Sequence, residues 1–385
     1  ATYLYVDNNR YWISTQPNLN RTAQEKADQF LTESDRHKVW EEIVKRLKKI
    51  GDRGLFSGVH VAPNSSSDIP DDNSSGVRLV IVHPQNPHDQ GLNLDSPAHQ
   101  WVDDVLNYRG SSRRHYQNTL LFLAADKRQL ECLADNTAKY LAWESIIAEK
   151  EELNLDPSQA KQAHNRLQDS DQDVENQISQ TYQWLLVPEQ PDPQEAIVWK
   201  ATRLRSPEPS LALSASQKAV HEAYLSDTYA AENLCLEFLE TFIWTKKNHI
   251  SLQDLWEYLT KYIYLPRLKD ENVLLEAIAS GVYSTVWSQW FAYAQGFDPE
   301  TETYQELKAG ESINPTIAQN SLIVKPDVAQ KQLQLMQQPS PNSLGQYSTA
   351  SPGQESQAHI IVGETITAAN YGASLADKPS HRRFY

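Results

Sequence analysis

The run from Thr119 to Ala125, ThrLeuLeuPheLeuAlaAla, constrains this chain more than any other feature. It carries no charge and is closed by Asp126, so it reads as a strand buried on both faces, the kind found inside sheets covered by helices on each side. Two shorter apolar runs, Leu55 to Val61 and Val77 to Val82, read the same way and are parted by a polar loop without core-forming content. Between the second run and Thr119, the residues Trp101, Val102, Val105 and Leu106 recur at helical spacing. Strands separated by helices predict a mainly parallel α/β sheet in the first ~130 residues.

The flanking segments extend this reading. Residues 3 to 14 alternate apolar and polar around AspAsnAsn, the pattern of a β-hairpin that opens a sheet. Ser34 precedes Val39, Trp40, Ile43, Val44, Leu47 and Ile50 at helical spacing, with Gly51 as the stop. Asp126 is placed to cap one helix, and Asp156 with Pro157 starts another, in which Ala163, Leu167, Val174, Ile178 and Thr181 recur near a period of about 3.5. These form a helical hairpin inserted at about 127–186, after which strand-like runs at 184–187 and 196–201 rejoin the sheet. Residues 216–281 read as three or four helices, and a strand, turn and strand surround GlyPheAspProGluThrGlu, the winged-helix order. The expected architecture is therefore a mixed, mainly parallel α/β domain over 1–210, followed by a helical, winged-helix-like domain over 211–336. A Gln, Ser, Pro and Gly-rich linker over 337–357 and the start of a further element over 358–385 complete it.

Composition narrows the setting. Mean hydropathy is -0.61, no apolar run approaches the roughly 20 residues that span a bilayer, and the start lacks a basic region followed by an apolar one. A cytoplasmic protein without a membrane partner is expected. Cys132 and Cys235 are the only cysteines and make neither a disulfide framework nor a zinc spacing. A net charge of -15 opposes broad coating of nucleic acid. The chain opens on Ala1 and its single methionine is Met336, which reads as a piece of a longer protein.

The candidate chemistry is sparse. Gly51, Gly54 and Gly58 lack the GlyLys pair of a P-loop, and GxGxxG, GxSxG and HExxH are absent from the sequence. His60, His83 and His88, with Asp89 and Asp95 nearby, fall at predicted strand ends and suggest a metal site, a reading outweighed by that of ordinary loop histidines. Asp298 with Glu306 and Lys308 mimics the D…ExK pattern of metal-dependent nucleases, yet such a triplet is expected about once by chance in a chain of this composition. Arg109, Arg113, Arg114 and His115 form the most basic stretch, and the planar fork of arginine suits phosphate oxygens. The competing reading pairs these arginines with the abundant carboxylates. In the winged-helix-like part, the helix from Asp270 to Ser280 would be the recognition helix but holds no basic residue. Only Arg267 and Lys269 stand near it for a nucleic-acid backbone, so protein docking leads.

Several segments carry a family likeness. ThrTyrLeuTyrValAspAsnAsnArgTyrTrp (2–12), ArgHisTyrGlnAsnThrLeuLeuPheLeuAlaAlaAsp (114–126), TyrLeuAlaTrpGluSerIle (140–146), TyrIleTyrLeuProArgLeu (262–268), AlaIleAlaSerGlyVal (277–282), TrpPheAlaTyrAla (290–294) and HisArgArgPheTyr (381–385) resemble the domain-of-unknown-function 499 family. The likeness covers nearly the whole chain and is weakest over 150–230 and in the linker. It implies a large AAA-type ATPase linked to DNA-modification or phage-defence clusters, with the nucleotide loop upstream of this region. ATP and Mg would then belong to the full-length protein, with no cofactor in this segment. The segment would regulate the ATPase and dock partners: the ATPase domain itself, other proteins of the system, DNA or a second copy. No catalytic residue of the family maps here; Arg113 or Arg114 as a contact to a neighbour's nucleotide is a hypothesis from the residues alone.

Overall fold

The computed structural model describes residues 18–337 apart from 50, 75, 92–94 and 205–209, together with the backbone of 3–7 and 10–14. The linker and the segment at 358–385 lie outside the described residues, as does Ile50. Residues 1–337 form one compact unit.

β1 (Tyr3–Asp7) and β2 (Arg10–Ser14) make the expected hairpin, but as a two-stranded sheet of their own. α1 (Leu19–Phe30), capped by the Asn18 side chain, was not anticipated; α2 (Arg36–Leu47) follows, with Asp35 rather than Ser34 at the N-cap position. The central sheet uses β3 (Gly58–Val61) and β4 (Arg78–Ile81), then α3 (Pro97–Asn107) and a short ribbon of β5 (Tyr108–Arg109) and β6 (Ser112–Arg113). β7 (Leu120–Ala125), the helical hairpin of α4 (Lys127–Ala148) and α5 (Pro157–Thr181), β8 (Tyr182–Glu189) and β9 (Val198–Arg203) complete it. Its order is β3-β4-β7-β8-β9, with the first three strands parallel and the last two antiparallel. Every residue of β4 and β7 is buried. Leu79, Ile81, Leu121 and Leu123 enter the core shared with α2, α4 and α5, while Val80, Phe122 and Ala124 enter the core shared with α3. Alternation along each strand thus feeds two layers of helices.

The hairpin starts where the capping residues put it. Asp126 accepts from the Arg128 and Gln129 amides, and Asp156 and Gln159 form a reciprocal capping box ahead of Pro157. Arg46 of α2, buried, holds the hairpin down: it reaches Glu42 and, on α5, Asp171 at 2.7 Å and Glu175 at 2.9 Å, over the Tyr140 ring.

α6 (Leu211–His221) sends Ala212, Ala215 and Ala219 into the sheet's own core, so the first core extends past the expected boundary at 210. The second core begins with α7 (Ala231–Asn233), which runs on as a π-helix over Leu234–Ile243. Then come β10 (His249–Ser251), α8 (Leu252–Lys261), α9 (Glu271–Tyr283), β11 (Ala292–Ala294), the hairpin of β12 (Gly296–Asp298) and β13 (Thr303–Gln305), β14 (Leu322–Val324) and α10 (Pro326–Gln337). β10, β14 and β11 form an antiparallel sheet in that order. Trp244, Trp256 and Phe291 are core residues, as aromatic side chains at helical spacing usually are.

The two cores are joined by polar bonds. Arg267 donates to the carbonyls of Asn118 (3.2 Å), Tyr224 (2.9 Å) and Pro188 (3.0 Å), and Asn118 returns two bonds to the carbonyls of Leu259 and Leu265. Trp256 donates to the Asn73 carbonyl, and the Val77 amide to that of Lys269. Gly76, at φ +81°, sits where a Cβ would come 2.3 Å from the Lys269 oxygen, so only glycine permits this approach. Arg267→Met leaves three carbonyls, two of them buried, without this donor. It is expected to lower unfolding free energy by about 3–5 kcal/mol in a denaturant melt; a loss below about 1 kcal/mol would deny the joint this role.

Candidate functional site

The basic stretch at 109–115 divides sharply by environment. Arg114 is buried and donates to the carbonyls of Val105 (2.8 Å), Pro70 (2.8 Å), Ser66 and Ile69 (both 3.3 Å). Burial pulls its pKa down, with Asp71 at 3.9 Å opposing the shift. That contradicts a role for Arg114 in contacting a nucleotide: its fork is filled by main-chain oxygens. Asp71 adds a second anchor, accepting from the amides of His115 (2.8 Å) and Tyr116 (2.9 Å). A third comes from Gly110, at φ +60° in the tip, whose amide donates to Ser66 Oγ at 3.0 Å.

On this base the β5–β6 ribbon projects Arg109 and Arg113, both exposed. The Arg113 guanidinium lies 5.7 Å from the centroid of the Tyr108 ring. Among the described residues neither arginine has a carboxylate within ion-pair distance, although the chain has 50 acidic residues. The sequence grouped these arginines but gave no means of separating the anchor from the tip.

The other candidates are dispersed. Arg267, expected near nucleic acid, is the buried joint described above, and burial takes its pKa to about 10; it is not available to a phosphate backbone. Lys269 is half-buried, 3.6 Å from Asp270, and its main chain serves the same joint. His60, His83 and His88 enter different surroundings. His60 is on β3, its buried Nε2 without a hydrogen-bond partner among the described residues, and burial, then Arg78 and Arg114, pull its pKa down. His83 follows β4 and lines a cavity of about 660 Å³ with Trp40, Lys45, Asn64 and Gln85 at the carboxyl ends of β3 and β4. His88 is buried against Trp184, ring centroids 4.8 Å apart, and His99, at 5.1 Å. Asp89 pairs with Lys127 at 2.8 Å, and Asp95 is exposed. No three His, Cys, Asp or Glu side chains converge on a metal position among the described residues.

Asp298 accepts from the Glu300 amide and the Thr301 hydroxyl within the hairpin turn, which draws its pKa down. Glu306 adopts φ +47°, and Lys308 pairs its main chain with Tyr293. These are turn and bridge roles, not a convergent pair of acids. A cavity of about 490 Å³ beside this hairpin is lined by His249, Asp254, Phe297 and Tyr304. Its His249, bonded to the Tyr304 hydroxyl at 3.0 Å, drew no notice in the sequence because neither partner lies in a motif.

Compared with family models, curated proteins and solved structures, the chain finds no significant match.

Burial and the neighbouring His99 carry the His88 pKa from 6.5 to about 4. Between these values the unfolded chain binds a proton that the folded chain refuses, so stability is fully present above pH 6.5 and falls as pH drops toward 4. The difference is worth about 3 kcal/mol. Denaturant midpoints are expected to fall between pH 7 and 4.5, and His88→Asn to flatten that slope; an unchanged slope would remove His88 as its source.

Proposed function

We propose that this chain is a non-catalytic regulatory and partner-docking region of a larger AAA-type ATPase from a bacterial DNA-modification or phage-defence system. In this reading Arg113, with Arg109 beside it, contacts the phosphates of a nucleotide held by a neighbouring domain or subunit. One observation carries the reading: a ribbon fixed by Arg114, Asp71 and Gly110 holds two exposed arginines without carboxylate partners among the described residues, in a chain of net charge -15. A ribbon held in place presents its arginines at a fixed site, and their forks match phosphate oxygens in pairs. The resemblance of residues 2–12, 114–126 and 262–268 to the domain-of-unknown-function 499 family supports the same assignment. ATP and Mg would be bound by the ATPase domain.

A winged-helix-like reading of the second half gains support from its chain order. The π-helix, β10, α8, α9, β11, a hairpin and β14 follow one another, and the last strand lies between the other two. What such a module would dock is protein before DNA. α9 exposes Asn272, Glu276, Ser280 and Tyr283 and no cation, which opposes entry into a groove lined by phosphates.

In the full-length ATPase, Arg113→Ala is expected to lower ATP turnover by on the order of 10³-fold at unchanged melting temperature. The chain by itself is expected to hydrolyse no ATP. Wild-type turnover in Arg113→Ala, or robust hydrolysis by the isolated chain that Arg113→Ala leaves intact, would end the proposal.

A further inference from the structure

We propose that the cavity at the carboxyl end of β7 binds a phosphoryl anion through Arg128, Arg203 and the amide of Gln183. The cavity holds about 390 Å³, within the range of small-molecule sites. It lies where open α/β sheets place their ligands, outside the carboxyl ends of parallel strands.

A fault in the sheet builds its floor. β7 and β8 pair in register up to Ala124↔Trp184, then shift, so that Ala125 faces Tyr182 and Gln183 is the extra residue of a bulge. A bulge re-aims the side chain it frees. Gln183 is 7% exposed and lines the cavity. Its Oε1 accepts from Arg203 Nε at 2.7 Å, which fixes the amide, and its Nε2 has no hydrogen-bond partner among the described residues. A buried donor left this way is destabilising, a cost that an acceptor oxygen in the cavity would remove.

The charge around the cavity fits an anion. Asp126 is already engaged, by the Arg128 and Gln129 amides and by Trp184 Nε1 at 3.0 Å; Asp89 is engaged by the Gly91 amide and by Lys127. Arg128 and Arg203 are exposed and have no carboxylate partner among the described residues. Lys127, Arg128 and Arg203 outnumber the two acids in a chain that is otherwise strongly negative. The first-turn amides of α4 are already bonded, so the side chains and not the helix end supply the donors. This site is separate from the β5–β6 ribbon and does not depend on the reading given to it.

The test is calorimetric titration of the whole chain with pyrophosphate at fixed ionic strength. Saturable binding of one equivalent is expected, weakened at least tenfold by Arg203→Met and by Arg128→Met and several-fold by Gln183→Leu. Arg113→Ala should bind as the wild type does, which separates this proposal from the ribbon. Three results would overturn it: no saturable binding, binding that survives both arginine substitutions, or citrate binding as tightly as pyrophosphate. Arg128 is exposed on the first turn of α4, so its substitution keeps the test valid even if Gln183→Leu fails to fold.

Discussion

A guanidinium surrounded by main-chain oxygens is the constraint on which this architecture rests. Arg267 binds carbonyls from the approach to β7, the far end of β8 and the exit from α6, three segments distant in sequence. Removing a cation from water costs several kcal/mol, and carbonyl dipoles offset that only if they are held in place. The sheet holds that of Pro188, and Asn118 repeats the device in the opposite direction by donating to Leu259 and Leu265. The helices after Leu234 are therefore fixed to the sheet by directional bonds, and Gly76 completes the seam by letting two backbones touch.

The same economy governs the other arginines. Arg46, Arg78 and Arg114 are buried like Arg267, and each ties a loop or helix to its neighbour through several acceptors. Lysine, with a single compact charge, offers no such fork. These internal uses take four arginines, and among those left exposed, the ones at 109, 113, 128 and 203 lack carboxylate partners among the described residues and are presented in pairs by two local structures.

Much of the α/β part was legible in the sequence because its signals are local. The run at 119–125, the caps Asp126 and Asp156, and the first-turn Pro157 each specify an element without outside help. α1 escaped because its buried stripe is only Leu19, Ala23 and Ala27, too small to register as amphipathic. β10 and β14 are three residues each, below the length at which alternation can be read. Of the candidate site, the clustering of arginines was visible and their division was not. Whether Arg113 or Arg114 turns inward depends on carbonyls some 40 residues earlier, as does the burial of Arg267 on contacts about 150 residues away. The Gln183 bulge left no mark at all, since a pairing shift is a property of two strands together.

The helical hairpin gives the sheet an arm. α4 has 22 residues and α5 has 25, so the arm is about 33 Å long at 1.5 Å per residue. Its root lies at Asp126 and Thr181, beside the strand ends, and Lys26 of α1 grips its far end through Glu149 and Ser145. Packed along its length by Leu133, Ala138 and Val174 and tied down by Arg46, the hairpin acts as a strut that sets the distance between the strand ends and the part of α1 it meets.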